Sequence, residues 1–547
     1  MKKILIFLLA SLLFVGCSTA TPEPEATKKV LRVAYSGDVL SLDSSAATDG
    51  VSFEVLTAFT EGLVEYDAND AMLPGSGAAE SWDVSEDGME YVFNLKKNAV
   101  WSNGDPVTAN DFVFAWRRLA DPAMANEYSM MILNAKLKNA EAVVAGTLPL
   151  DQLGVEAVDD FTLKVTLEAQ VPWFIALMTF PSFFPLNEKF VTEAGDDFAT
   201  GPDFLLSNSA FVLTEWIQGS KIVFAKNEKY YDAAKIAIDG IDITVIADPQ
   251  TVKLQYDQGN LDVAAMSGDL VSGYVGTDDF TPIRKGYTWF MPFNQKSDNP
   301  AMLNENFRLA MAWAFDRSFI VDEKLNDGSI VADGFVPRGL ASSAQGEDFR
   351  DTAPKYFGYD PAKTLAYWDA AKAELGTDTV TFELLVGTPG DDSGLAAGAA
   401  EYIKAEVEKN MPGVTVEIKT VLKKERLELM NPTRGEYDVA LTRWGPDYAD
   451  PLTYLQDLLI STSNYNYGQW VDTAYDALVA DVAPGGAFAA DADVRWAKLV
   501  EVEAYVLNKA VVVPMWQTGA AMVIKPNVDG IEYHVLGLTN YKRTTIE

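Results

Sequence analysis

Two periodicities alternate along this chain. Short runs in which every second residue is apolar, Val30 to Tyr35, Tyr91 to Leu95, Thr162 to Leu167, Lys221 to Ala225, Ile241 to Ile246, Val380 to Leu385 and Val414 to Lys419, predict strands with one buried face. Between them, apolar residues recur at spacings of three and four over Ala109 to Leu119, Asn306 to Arg317 and Asp493 to Lys509. That spacing predicts amphipathic helices, with Thr108 placed to cap the first. Strands and helices interleave, so the fold class is α/β rather than a sandwich or a bundle. There is no internal repeat, and Gly and Pro are spread through the chain with no low-complexity linker after residue 29. Short crossings between lobes follow from that.

Length changes the picture first. A chain of 547 residues exceeds the size at which one core stops growing, roughly 250 to 300 residues, so at least two lobes are expected. Hydrophobic residues at 48% and charged residues at 22% are the proportions of a globular protein, not of a disordered one. The net charge of -36 opposes a nucleic-acid role, because phosphate backbones select a basic face. It suits a secreted, solubilised surface and names no ligand.

The first residues, MKKILIFLLASLLFVGCSTATPEPEATKK, place Lys2 and Lys3 before an apolar run from Ile4 to Val15 that is too short for a bilayer core of about 30 Å. This predicts an export signal over 1–16. Its end, Phe14-Val15-Gly16-Cys17, resembles a bacterial lipoprotein box, with Phe14 where Leu is preferred. Cys17 is the single cysteine, so no disulfide within the chain is available to it. Lipidation after cleavage is the use the resemblance implies, and a chance cysteine behind an ordinary signal is the alternative. Residues 17–27, rich in Pro, Glu and Thr, read as a solvated tether holding the body off the membrane. Cleavage removes Lys2 and Lys3 and leaves the body still more acidic, which suits an anchor rather than adsorption to anionic lipid.

Catalytic constellations are scarce. The single histidine, His534, stands in the alternating stretch IEYHVLG and reads as a structural residue in a strand. One histidine and one cysteine exclude thiolate and imidazole metal sites and the histidine-dependent triads. No Gly-rich phosphate loop is present. With 79 acidic residues, carboxylate pairs arise by chance and identify nothing. No cofactor and no metal are called for, and no enzyme activity is expected.

The stretch Ala78 to Pro122, AAESWDVSEDGMEYVFNLKKNAVWSNGDPVTANDFVFAWRRLADP, closely resembles the signature of the family 5 solute-binding proteins, the extracytoplasmic receptors of peptide ABC importers. Trp82, Asp87, Gly88, Trp101, Pro106, Asp111, Trp116, Arg118 and Pro122 fall in register with it. Later blocks follow in the family's order: 207–232, 248–264, 290–317, GEYDVALTRWGPDYADPLTYL over 435–455, and VVVPMW over 511–516. The insertion after Pro122 and the Asn294 to Lys296 triplet are most similar to the oligopeptide branch. Most of these residues have structural readings: Asp87-Gly88 is a hairpin turn, Trp101 and Trp116 are core anchors, and Asp316-Arg317 ends a helix with an ion pair.

The resemblance implies a two-lobed periplasmic-binding-protein-like fold (type II, cluster C) with an extra subdomain on lobe one. By block, lobe one takes 28–60 with 185–288 and 517–547, the subdomain 61–184 and lobe two 289–516. A receptor for many peptides must bind what peptides share, the backbone and the charged ends. The resemblance assigns backbone pairing to Asp49, Gly50 and Val51 and to Arg443, Trp444 and Gly445, glycines allowing close approach. It assigns the ligand ammonium to Asp447, with Trp444 and Tyr128 as cleft aromatics. The rival for Asp447 is a turn cap, and Asp450 before Pro451 reads as the turn residue. Leu441 replaces the Arg expected two residues before Arg443, so the ligand carboxylate has no assigned partner; Arg443, Lys423 and Lys424 are candidates.

The expected partners are a peptide, an ABC permease with its ATPase, and a membrane through Cys17; the protein is expected to act as a monomer outside the cytoplasm. Three alternatives stay open. With 12 tryptophans for ring stacking the ligand could be an oligosaccharide. A secreted carboxylate hydrolase or a signalling or adhesion lipoprotein would keep much the same pattern.

Overall fold

The computed structural model describes residues 28–68, 70–388, 395–536 and 538–547. The export signal, Cys17 and the tether lie outside the described residues. No helix among the described residues is long and apolar enough to cross a membrane.

The alternating runs form the strands expected of them. Val30–Tyr35 lies inside a nine-stranded sheet, pairing in parallel with Gly240–Val245 and, at Val33, with Val263. Across that sheet the order is Thr442–Trp444, Phe280–Pro292, Val512–Ile524, Val263–Met266, Val30–Tyr35, Gly240–Val245, Lys221–Lys226 and Phe211–Ile217, with Ile330–Val331 also on Val512–Ile524. Phe280–Pro292 and Val512–Ile524 are each 13 residues long and antiparallel, with register shifts between Arg284 and Thr288 and between Trp289 and Phe290. Leu31, Val33, Ile241, Ile243 and Phe224 from this sheet pack on Leu56 and Phe59 of the helix Gly50–Phe59.

A second sheet is wholly parallel and three-stranded, in the order Val414–Val421, Val380–Gly387, Val439–Ala440. Its strands bury Phe382, Leu384 and Val416 against Ile403 and Val407 of the helix Leu395–Asn410. Thr381, Thr415 and Glu417 alternate with these residues and are exposed, so the helix covers the apolar face of the sheet. A third sheet is antiparallel and four-stranded, in the order Ala79–Val84, Glu90–Leu95, Thr162–Thr166, Val155–Asp159. Its first hairpin turns at Asp87-Gly88, where Gly88 takes φ of +66°. The helix Ala109–Ala120 packs there behind a capping box of Thr108 and Asp111, and buries Trp116 completely beside a nearly buried Trp101. The Trp101 indole donates to Asp111, whose carboxyl burial pushes up to about 6.

The expected helix Asn306 to Arg317 is broken. Glu305–Trp313 ends, and Asp316 caps a new short turn, Arg317–Phe319, by accepting from the Ser318 N–H at 2.9 Å. Arg317 does not pair with Asp316. Its guanidinium donates to the carbonyls of Ala332, Pro514, Tyr356 and Phe357 at 2.7 to 2.8 Å, stitching separate segments together. His534 follows the two-residue strand Glu532–Tyr533 and is buried, with Nδ1 at 2.6 Å from an Asp70 oxygen.

Candidate functional site

The segment from Val439 to Trp444 is shared between two sheets. Val439 and Ala440 continue the parallel sheet beside Leu384 and Leu385, and the Leu441 N–H donates to Leu385 O at 2.9 Å. Thr442, Arg443 and Trp444 then pair antiparallel with Phe290, Trp289 and Thr288 of the nine-stranded sheet. One residue carries the chain from one sheet to the other. Thr442–Trp444 ends the sheet order, so its outer side holds no further strand among the described residues.

Pro446 turns the chain out of that strand and presents Asp447. The Asp447 N–H donates to Thr453 Oγ1 at 3.2 Å, which fixes the turn from the backbone side. Its carboxylate meets no hydrogen-bond donor and no cation among the described residues, and it caps nothing. Burial alone pushes that carboxyl up to about 6. Asp457 stands near it and is pushed up to about 8, by burial first and then by the charge of Asp447, while the Tyr448 hydroxyl donates to it at 3.1 Å. Asp450 behaves differently. It caps the Leu452 N–H and is also a buried partner of Arg495, with N···O distances of 2.7 and 2.9 Å. A turn residue before proline was legible; the ion pair with an arginine 45 residues on was not.

Tyr128 lies in the short turn Glu127–Ser129 and packs against Phe53 and Phe180, with ring centroids 5.2 and 5.9 Å away. Burial raises its phenol, and the charges of Asp447 and Asp49, with Tyr287 and Tyr465, push the same way. Tyr128 thus lies within electrostatic reach of Asp447 and Asp49. Tyr465, half exposed, sits 5.0 Å from the Trp444 ring at an angle of 54°. Those two rings are not coplanar, as a sugar-stacking platform would require. Asp457, Tyr287 and Tyr465 carried no signal in the sequence, because only the fold places them beside Asp447.

Two parts of the assigned pairing surface differ from an edge strand. Asp49 is the N-cap of Gly50–Phe59, accepting from the Ser52 N–H at 3.0 Å, so Gly50 and Val51 form the first helical turn. A helix start offers N–H donors and the positive end of a dipole but no acceptors, so this side can supply only half of a strand's pairing. Nor does Gly50 clear space: a Cβ there would meet nothing within 4 Å. At Gly445 a Cβ would fall 2.3 Å from a Tyr287 ring carbon, so that glycine makes room for Tyr287. Arg443 lies over the same ring at 4.7 Å.

Gly50, Val51, Tyr287 and Arg443 line one cavity of about 400 Å³, together with Glu54 and Lys285. Its size falls in the range of small-molecule and peptide sites. Among the described residues no group of three or more His, Cys, Asp or Glu could hold a metal ion.

Comparison with known proteins identifies the family of the whole chain. The family model of bacterial extracellular solute-binding proteins, family 5 middle, matches residues 74–466. A dipeptide-binding protein of Lactococcus lactis is 31% identical over 551 residues, covering 97% of this chain and 96% of its own length. The substrate-binding domain of an oligopeptide ABC transporter of Bacillus anthracis superposes with a TM-score of 0.76 at 38% identity, covering 95% of this chain and 99% of that one. The Listeria monocytogenes OppA bound to peptide superposes with a TM-score of 0.75 at 32% identity, over 95% of this chain and 99% of that one.

Proposed function

Because this chain belongs to family 5 of the bacterial extracellular solute-binding proteins, we propose that it is a receptor that captures oligopeptides between its lobes and delivers them to an ABC transporter. It performs no chemistry on them. A lipid on Cys17 anchors it as a monomer to the outer face of the cytoplasmic membrane or in the periplasm.

One observation carries the reading at the level of residues: a carboxylate at 447 that is raised by burial and met by no donor or cation among the described residues. An unpaired charge in such a place is costly, and a ligand ammonium offsets that cost by supplying the missing partner. Thr442–Trp444 offers its edge to the ligand backbone, the first turn at Gly50 and Val51 offers N–H donors, and Trp444 and Tyr128 bound the space for the first side chains. Roomy contacts completed by water let one site accept many sequences.

The test is thermal. A peptide at 100 times its dissociation constant adds about 2.7 kcal/mol of stability and raises the melting temperature. Oligopeptide mixtures should do so and oligosaccharides should not. A rise with a sugar and with no peptide would reject the reading.

A further inference from the structure

We propose that Lys285, with the hydroxyls of Tyr533 and Thr518, forms a carboxylate-binding subsite in the cavity that also holds Gly50, Val51 and Arg443. The inference rests on the peptide-receptor reading and supplies the partner that the other charged end of the ligand lacks.

Lys285 is a largely buried cation without a hydrogen bond. Its ammonium lies 3.7 Å from Glu54, beyond hydrogen-bond reach, and its side chain is 22% exposed. It donates to no other group among the described residues. Lys285 faces Glu54 Oε1, whereas the Tyr35 and Thr539 hydroxyls both donate to the other oxygen, Oε2, at 3.2 and 3.0 Å. Charge holds Lys285 in place while its N–H groups stay unused.

Two more groups share that condition. The Tyr533 hydroxyl and Thr518 Oγ1 are buried, have no partner, and line the same cavity. Buried hydroxyls are normally satisfied, so their convergence on one space with an unsatisfied ammonium marks a missing acceptor. The charges lining the cavity are Lys285 and Arg443 against the single Glu54, a local positive excess in a chain of net charge -36. Val33, Val51, Ile283 and Met522 supply apolar walls, where a charge-assisted hydrogen bond counts for more than in water. The ligand chemistry that fits is a carboxylate, from the peptide's C-terminus or from an Asp or Glu side chain.

Calorimetric titration of alanine-rich tri- to pentapeptides tests this, each as free acid and as amide, with amides carrying internal Glu or Gln as a third arm. Wild type should bind the acid about 10- to 100-fold more tightly than the amide. Lys285→Met should erase that preference while binding the amide as wild type does, which also shows that the variant is folded. Tyr533→Phe should reduce it by a smaller factor. A preference that follows internal Glu over Gln would support the subsite with a side chain as its source. Equal affinity of wild type for acid and amide, or an equal loss of both in Lys285→Met, would overturn the subsite and leave peptide capture standing. Tighter binding of a lysine-bearing amide that depends on Glu54 would also overturn it. A panel with no binder would overturn both readings.

Discussion

Trp173 lies stacked on Tyr448, ring centroids 4.9 Å apart and planes 15° from parallel, although the two come from distant parts of the chain. Arg495 stands 5.4 Å from the Trp173 ring while holding Asp450, and Tyr448 donates to Asp457. This column ties the region of the four-stranded antiparallel sheet to the turn that presents Asp447. Trp173→Ala should therefore do more than open a cavity. A buried tryptophan truncation costs about 3 to 5 kcal/mol, and Trp368→Ala, remote in the parallel-sheet core, should cost about the same. Peptide affinity should fall in Trp173→Ala and hold in Trp368→Ala; calorimetry on both, with melting curves, separates the two effects.

Asp447→Ala should weaken peptides with a free α-amine by about 10- to 100-fold, the worth of a charge-assisted hydrogen bond. N-acetylated versions of the same peptides should be unaffected, since they bring no ammonium. Equal losses for both would remove the role assigned to that carboxylate.

The raised Asp447 carboxyl gives two pH dependences of opposite sign. Ammonium capture needs the ionised form, so affinity for free-amine peptides should drop about tenfold per unit below pH 6, and Asp447→Asn should flatten the profile. Stability of the ligand-free protein runs the other way. The folded carboxyl, at about 6 against an ordinary 3.8, holds its proton more tightly than the unfolded one. Its contribution is full below pH 4 and is lost as pH rises through 6. Asp447→Asn should raise the melting temperature at pH 7 and leave it unchanged near pH 3.5, as scanning calorimetry would show.

Gly445→Ala should lower the melting temperature and peptide affinity together, because the added methyl lands on the Tyr287 ring. Gly445→Ala with Tyr287→Ala should recover stability relative to the single variant. Additive losses in the double variant would show that the glycine acts through its backbone freedom instead.

Local patterning made the strands readable. Val30 to Tyr35 and Val380 to Leu385 each keep one periodicity over a full element, and the structure extends them by two residues at most. Where a segment changes partner midway, the pattern misleads. Val439 and Ala440 pair in one sheet and Thr442 to Trp444 in another, a change of partner that nothing in the residue pattern marks. Asn306 to Arg317 reads as one helix but stops where Asp316 caps a fresh turn. The site divides in the same way. Asp447 and Trp444 stand out within ten residues of sequence. Asp457 and Lys285 acquire meaning only from neighbours that folding supplies, and Asp49 to Val51 carry no periodicity that separates a helix start from a strand.

Leu441 is the whole length of the joint between the parallel sheet and the edge strand Thr442–Trp444. A guest that hydrogen-bonds to that edge is therefore coupled to the far sheet as if by a tow-bar, with no slack segment to absorb a pull. Whatever force draws a guest inward along that edge is felt at once by the sheet behind it.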